Sequence, residues 1–288
     1  MKIILTNGDA RTDAKTIAQK QIEIIRKCTN IYLPDTLHDL RVSLRRLRNA
    51  FMLFDKCYLD SKKGEKTAYS LAKEVQRLRD IDVQIEIFKS LKGREEGLDF
   101  LLDSIIDKIE SERLLELKDV EWAFRYDFQR IVDKLTYCST TNYASYSTLE
   151  ISYPFLKERI SVFRERLPLA KLEVASCAQH KLRISIKHLR YTLETLQECG
   201  RLSGIESLLK CAKKVQDYLG EIHDLDVAMV RLKNLSFSNM KNKNAKKLFF
   251  LLREERRKRY FMFESKVNDL EKGIEKIEYA FEDLNFKV

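Results

Sequence analysis

The chain has 288 residues, 44% of them hydrophobic, enough to bury the core of one large or two small domains. Only 8 glycines and 3 prolines accompany 34% charged residues. That excludes a turn-rich, many-stranded sheet and favours long amphipathic helices, so composition points to an all-α fold. The 54 Lys and Arg against 44 Asp and Glu leave a net charge of +10, which suits an acidic partner: nucleic acid, membrane surface or polyanion.

Cys28, Cys57, Cys138, Cys177, Cys199 and Cys211 occur singly, with no C-x-x-C pair. In a chain of this size they read as buried, reduced thiols rather than a disulfide framework or a zinc site. Near the N-terminus Ile3-Ile4-Leu5 turns polar at Thr6-Asn7-Gly8-Asp9, too short for a secretory signal, and no run reaches the ~18–20 apolar residues of a spanning helix. The expectation is a soluble cytoplasmic protein with no membrane partner.

In chain order, Asp13 to about Lys27 places Ile17, Ile24 and Ile25 at helical spacing, and the pattern runs on through Tyr32-Leu33 to a stop at Pro34. Pro34 and Asp35 open the next helix. Its core side is Leu37, Leu40, Leu44, Leu47 and Phe51. After Ser61-Lys62-Lys63-Gly64 a third helix carries Leu71, Val75 and Leu78, and Asp80 and Asp82 read as the start of a new helix, predicting a sharp joint there. Helices follow over about Leu98–Leu117 and Val120–Leu135. The polar run from Ser139 to Thr148 breaks every helical pattern and is the predicted linker. Long helical patterning from Asn239 to Asn285, with a basic cluster at Arg253, Arg256, Arg257, Lys258 and Arg259, closes the chain.

The chain repeats itself. The stretch His38 to Arg48 returns 142 residues later as His180 to Arg190 (180 against 38). Ala72-Lys73-Glu74-Val75-Gln76 returns as Ala212-Lys213-Lys214-Val215-Gln216, and Asp80-Ile81-Asp82-Val83 as Asp224-Leu225-Asp226-Val227. Separate motifs duplicated in register predict two similar helical halves, 1–142 and 143–288.

On a helix His38, Arg41, Arg45 and Arg48 form one stripe about a quarter turn from the apolar side, and His180, Arg183, Lys187 and Arg190 repeat it. Four positions spanning roughly 15 Å can follow several units of an extended anion. Arginine donates charge-assisted hydrogen bonds to phosphate oxygens through a planar fork, and histidine adds a donor whose charge depends on pH. Arg46 falls on the other flank and carries less weight. Arg-rich helices are commonly just solvated faces, but the same four positions are basic in both copies and Asp39 is the one acid within the first stretch.

Two other classes stay open. His180, His188, His223 and Asp224 invite a metal-dependent phosphohydrolase acting on polyphosphate or nucleotides, although Arg79-Asp80 stands at the matching place of the first half. RNA binding is disfavoured because Trp122, Phe124, Tyr126 and Phe128 alternate too closely for one stacking face. There is no Gly-rich phosphate loop, G-x-S-x-G or Cys/His pair at recognisable spacing, so neither a catalytic residue, a metal ligand nor a cofactor is assigned.

The pattern His-x-x-Arg-hydrophobic-x-x-Arg/Lys-x-Leu-Arg at His38–Arg48 and His180–Arg190, with the endings Asp80–Val83 and Asp224–Val227, resembles the CHAD family, the conserved histidine α-helical domain. The likeness covers nearly the whole chain. It implies a single domain of two pseudo-symmetric four-helix bundles of long antiparallel helices, with a central basic cavity that binds inorganic polyphosphate without catalysis. Carried over residue by residue, it implies binding roles for His38, Arg41, Arg45, Arg48, His180, Arg183, Lys187 and Arg190. It extends to Lys73, Arg77, Lys213 and Lys214 on the following helices.

Two departures matter. Family members are often fused to a triphosphate-tunnel catalytic domain, for which this chain has no room, so intrinsic triphosphatase activity is not expected. His223 stands where the family more usually has arginine. The partners implied are inorganic polyphosphate and, through it, polyphosphate granules or polyphosphate-metabolising enzymes.

Overall fold

The structure is a computed structural model that describes residues 3–30, 32, 34–142, 146–235 and 243–283. The described residues form helices α1 (Ala10–Lys27), α2 (Pro34–Leu53), α3 (Ser61–Ser90), α4 (Asp99–Tyr126), α5 (Phe128–Cys138), α6 (Thr148–Ala170), α7 (Ser176–Glu198), α8 (Glu206–Leu235) and α9 (Lys243–Asp283). One two-stranded antiparallel ribbon pairs β1 (Ile4–Leu5) with β2 (Leu202–Ser203). The fold is all-α. Among the described residues no helix is long and apolar enough to cross a membrane.

The internal repeat is visible as architecture. In each half successive helices pack on one another, α1 on α2 on α3 on α4 and α6 on α7 on α8 on α9; α2 then meets α7 and α3 meets α8 across the centre. The helix starts match too. Asp9 caps α1 by accepting from the Thr12 N–H, Ser147 caps α6 by accepting from the Glu150 N–H, and the two caps pair with each other in an antiparallel bridge.

The apolar periodicity explains which faces are inside. Leu40, Leu44, Leu47 and Phe51 of α2 are at most 1% exposed, as are Leu182, Ile186, Leu193 and Leu196 of α7. Each such side chain contributes roughly 1.5–3 kcal/mol by leaving water. The halves do not have separate cores. One apolar cluster runs continuously through α1–α3 and α5–α9, and a second, built from the far ends of α3, α4, α8 and α9, is likewise shared by both halves. Asn49 ties the centre together, donating to Thr195 Oγ1 and accepting from Thr192 Oγ1, both at 3.2 Å in a buried setting.

Several boundaries differ from expectation. No joint occurs at Asp80 or Asp224: α3 and α8 are each unbroken for 30 residues. The acids there serve long helices instead. Asp82 pairs with Arg113 of α4 at 2.6 Å, and its repeat Asp226 pairs with Arg256 of α9 at 2.6 Å and accepts from Ser176 Oγ of α7. Thus the duplicated Asp-x-Asp-Val motif fastens each long helix to the next. The break placed near Lys118 falls at Asp127, because Val120, 2% exposed, continues the buried stripe of α4; Phe124 and Phe128 stack across the joint at 4.6 Å. The linker lies between α5 and α6 as expected, with 143–145 of it outside the described residues, as are Leu33 and the ends of the last helical pattern at 239–242 and 284–285. The cysteines are free thiols, but only Cys28, Cys57 and Cys138 are buried, and Cys177 is exposed.

Candidate functional site

Where α2 meets α7, the two basic stripes come together. Arg41, Arg45 and Arg48 of α2 and Arg183 of α7 all act electrostatically on Lys187. Burial in the first place, and these four cations in the second, push the Lys187 ammonium down to about 8. Burial and the neighbouring Arg45 and Arg79 likewise bring Arg41 down to about 10. Cations collected this closely repel one another, a cost that a bound anion would reverse.

The second layer places rather than neutralises them. Gln76 of α3 accepts from Arg41 Nη2 at 2.8 Å, and its repeat Gln216 of α8 accepts from Arg190 Nε at 3.2 Å. Tyr69 lies under the Arg48 guanidinium at 4.6 Å, and Tyr191 under those of Arg190 and Arg45 at 4.8 and 6.0 Å. Carboxylates occupy the margins: Glu65 pairs with Arg48 at 2.5 Å, and Glu194 pairs with Arg190 and, at 3.8 Å, with Arg46. In and beside the cleft Arg45 Nε, Arg183 Nε and His180 Nδ1 are buried without a hydrogen-bond partner within the protein, as are Arg46 Nε and Arg159 Nε at its edges. Buried polar atoms without a protein partner are uncommon in folded proteins and are met by water, an ion or a ligand.

The histidines divide. His180 of α7 and His223 of α8 face each other with ring centroids 4.2 Å apart, beside Arg183. Burial lowers both pKa values, with the partner ring and Arg183 adding to the effect on His180 and Arg183 adding to that on His223. His188 does not join them. It lies 3.4 Å from Arg159 Nη1 through Nδ1, and burial together with Lys187 and Arg159 pushes it down to about 3. Asp224 is raised to about 6 by burial, against the opposing pull of Arg183. The histidine–aspartate set thus does not converge, and among the described residues no group of three His, Cys, Asp or Glu side chains is arranged to hold a metal ion.

Not all the expected residues gather. Arg41, Arg45, Arg48, Arg183, Lys187, Arg190 and His180 do, whereas His38 is exposed near the start of α2. Lys73 and Lys213 are exposed one turn from Gln76 and Gln216, at the rim. Arg77 turns away to Glu116 of α4 at 3.8 Å, and Lys214 lines a separate groove against α9. The basic cluster of α9 is largely balanced: Arg256 pairs with Asp226, Lys258 with Glu255, Arg259 with Glu221 and Arg257 with Glu173. Trp122 and Tyr126 are exposed on α4, with ring centroids 5.3 Å apart.

Sequence reasoning missed Arg159 and Arg166 of α6, which extend the positive field past Arg48 and His188. They have no basic counterpart in α1, so the repeat is silent about them; their one signal is a seven-residue spacing on a single helix face. Arg79, next to Arg41, was passed over as a helix-start neighbour.

Comparison with known proteins agrees with this fold. The CHAD domain family matches residues 16–233. A crystal structure of the CHAD domain from the plant Ricinus communis superimposes with a TM-score of 0.66 at 20% identity, covering 94% of this chain and 93% of that one. PptA from Streptomyces chartreusis superimposes with a TM-score of 0.67 at 13% identity, covering 92% and 99%. At these identities the two structures speak for the fold. No curated protein matches the sequence. With three quarters of its length matched, the chain belongs to the CHAD domain family.

Proposed function

We propose that the protein binds inorganic polyphosphate, without catalysis, along the cleft between α2 and α7. The observation that carries this reading is the convergence of Arg41, Arg45, Arg48 and Arg183 on Lys187, whose ammonium they help to depress to about 8. An extended chain of phosphates supplies the missing charge at several points at once and offers acceptors to the unpartnered Arg45 and Arg183 donors. A single small anion would satisfy only part of the stripe.

The test is titration with polyphosphate across a salt series. With about six to eight phosphates contacted, log Kd is expected to change with log salt with a slope of magnitude about 4–6. Arg45→Ala combined with Arg183→Ala is expected to weaken binding by about tenfold or more, and Arg46→Ala, whose side chain is drawn to Glu194, far less. A flat salt dependence, or equal effects of the variants, would sink the proposal. Phosphate release from polyphosphate with Mg²⁺ or Mn²⁺ would favour a hydrolase, and RNA outcompeting polyphosphate at fixed salt would favour a nucleic-acid binder.

A further inference from the structure

A second positively charged depression lies on the other flank of α8. It is a groove of about 510 Å³ between α8 and α9, lined on one side by Lys210 and Lys214 and on the other by Lys266, Lys272 and Lys276. Asp269 is the one acid in its lining, and it pairs with Lys266 at 3.3 Å. Among the described residues, Lys210, Lys214, Lys272 and Lys276 have no carboxylate within 4.0 Å. They form two i,i+4 pairs of like charge facing each other across the groove, an arrangement that disfavours the free helices.

The fold does not demand lysine here. The matching positions of the first half, 140 residues earlier, line a similar groove between α3 and α5, with Ser70 where α8 has Lys210 and Glu74 where it has Lys214; that groove draws its lysines, Lys62, Lys63, Lys66 and Lys134, from other positions. The positive charges of Lys210 and Lys214 therefore have no counterpart at the matching positions of the first half, whose groove sets two acids, Asp60 and Glu74, among its lysines where the α8/α9 groove has Asp269 alone. Gly273 forms the floor: a Cβ there would stand 2.6 Å from Leu208 Cδ1, so its absence lets α9 close onto α8 and brings the lysines of both helices together.

The groove and the central cleft are joined by one helix. Lys213 and Lys214 are consecutive, so they leave α8 about 100° apart. Lys213 lies on the stripe of Gln216 and Gly220, with Asp217 between it and Arg190, at the rim of the cleft. Lys214 opens into the groove. The ridge between the two sites is the width of one helix, ~10–12 Å.

We propose that the α8/α9 groove is a second anion site that takes the overhanging end of a polyphosphate chain already seated between α2 and α7. The inference rests on the central cleft being a polyphosphate site. Lysines suit such an end: they are mobile point charges that follow a flexible polyanion without demanding one geometry. A chain long enough to cross the ridge gains an intramolecular second contact, and a short one does not, so affinity becomes a function of chain length.

The experiment compares tripolyphosphate with long-chain polyphosphate on the wild type and on a variant carrying Lys210→Gln, Lys214→Gln, Lys272→Gln and Lys276→Gln, all exposed positions. The variant is expected to bind tripolyphosphate as the wild type does and long chains about tenfold or more weakly. Its salt slope for long chains falls by about 3. Unchanged long-chain affinity and slope would overturn the groove proposal, and so would an equal loss for both probes, which would reveal only a general effect of net charge. A wild type that binds neither probe would instead overturn the reading of the central cleft.

Discussion

Gly220 of α8 stands against Arg183 of α7: a Cβ at position 220 would lie 3.2 Å from Arg183 Nε, the same atom that is buried without a hydrogen-bond partner. A glycine inside a helix costs about 1 kcal/mol relative to alanine, yet here it keeps open the space in which the guanidinium lies. Gly220→Ala is therefore expected to leave the melting temperature unchanged or raise it, while weakening polyphosphate binding about 3–10-fold by displacing Arg183. Thermal unfolding and titration of the same sample check both halves. A variant that loses stability and keeps affinity would show that the glycine serves packing alone.

Lys187 gives a prediction of opposite sign for stability and binding. Its pKa falls from an ordinary value of 10.5 in the unfolded chain to about 8 in the folded protein. Between those values the unfolded chain holds a proton that the folded protein has released, so this group makes stability rise with pH from about 8 to about 10.5. Below pH 8 the charged side chain works against the fold. Lys187→Met is expected to stabilise the free protein at pH 7 by about 1–3 kcal/mol and to weaken polyphosphate binding. Calorimetry near pH 8 is expected to show proton uptake when polyphosphate binds the wild type and less in the variant.

His188 acts on the acid side. Burial and its cationic neighbours hold its pKa near 3 against the ordinary 6.5, so in the folded protein the ring is neutral and available to accept from Arg159. As pH falls below 6.5 the unfolded chain takes up a proton that the folded protein refuses, and the stability present above 6.5 is lost progressively toward pH 3. His188→Gln keeps an acceptor but not the titration. Its stability is expected to decline less steeply than that of the wild type between pH 6.5 and 4, measured by denaturant unfolding; parallel profiles would contradict the assignment.

Asp224 tempers the cleft from one end. Its carboxyl, raised to about 6 by burial, is ionised at neutral pH beside Arg183 and competes with an incoming anion. Asp224→Asn is expected to tighten polyphosphate binding about 3–10-fold at pH 8. At pH 5 the wild-type carboxyl is itself protonated, so the advantage is expected to vanish. An advantage independent of pH would place its origin elsewhere.

Much of the architecture was legible because helical periodicity and duplication are properties of the sequence. The apolar spacing of Leu40, Leu44, Leu47 and Phe51 sets one buried face whatever α2 packs against, and the return of His38–Arg48 as His180–Arg190 announces two related halves. That Arg41, Arg45 and Arg48 share a side while Arg46 does not follows from 100° per residue alone.

The partners across space were not legible. Asp80 and Asp82 read as a helix start because acids favour that position, but both lie inside an unbroken helix: Asp80 accepts from Gln76 one turn earlier, and Asp82 is held by Arg113 of α4, so at Asp82 local preference yields to a tertiary ion pair. Arg159 and Arg166 lack a repeat partner and join the site through the packing of α6 on α7. Lys213 and Lys214 look alike in the sequence, yet one rims the central cleft and the other enters the α8/α9 groove. The sequence by itself determined the helical character, the buried faces and the twofold repeat, because these depend on interactions a few residues apart, but not where the long helices end. Only the tertiary structure decided which charges meet, because charges on separate helices acquire neighbours, and Lys187 its depressed pKa, when the helices pack.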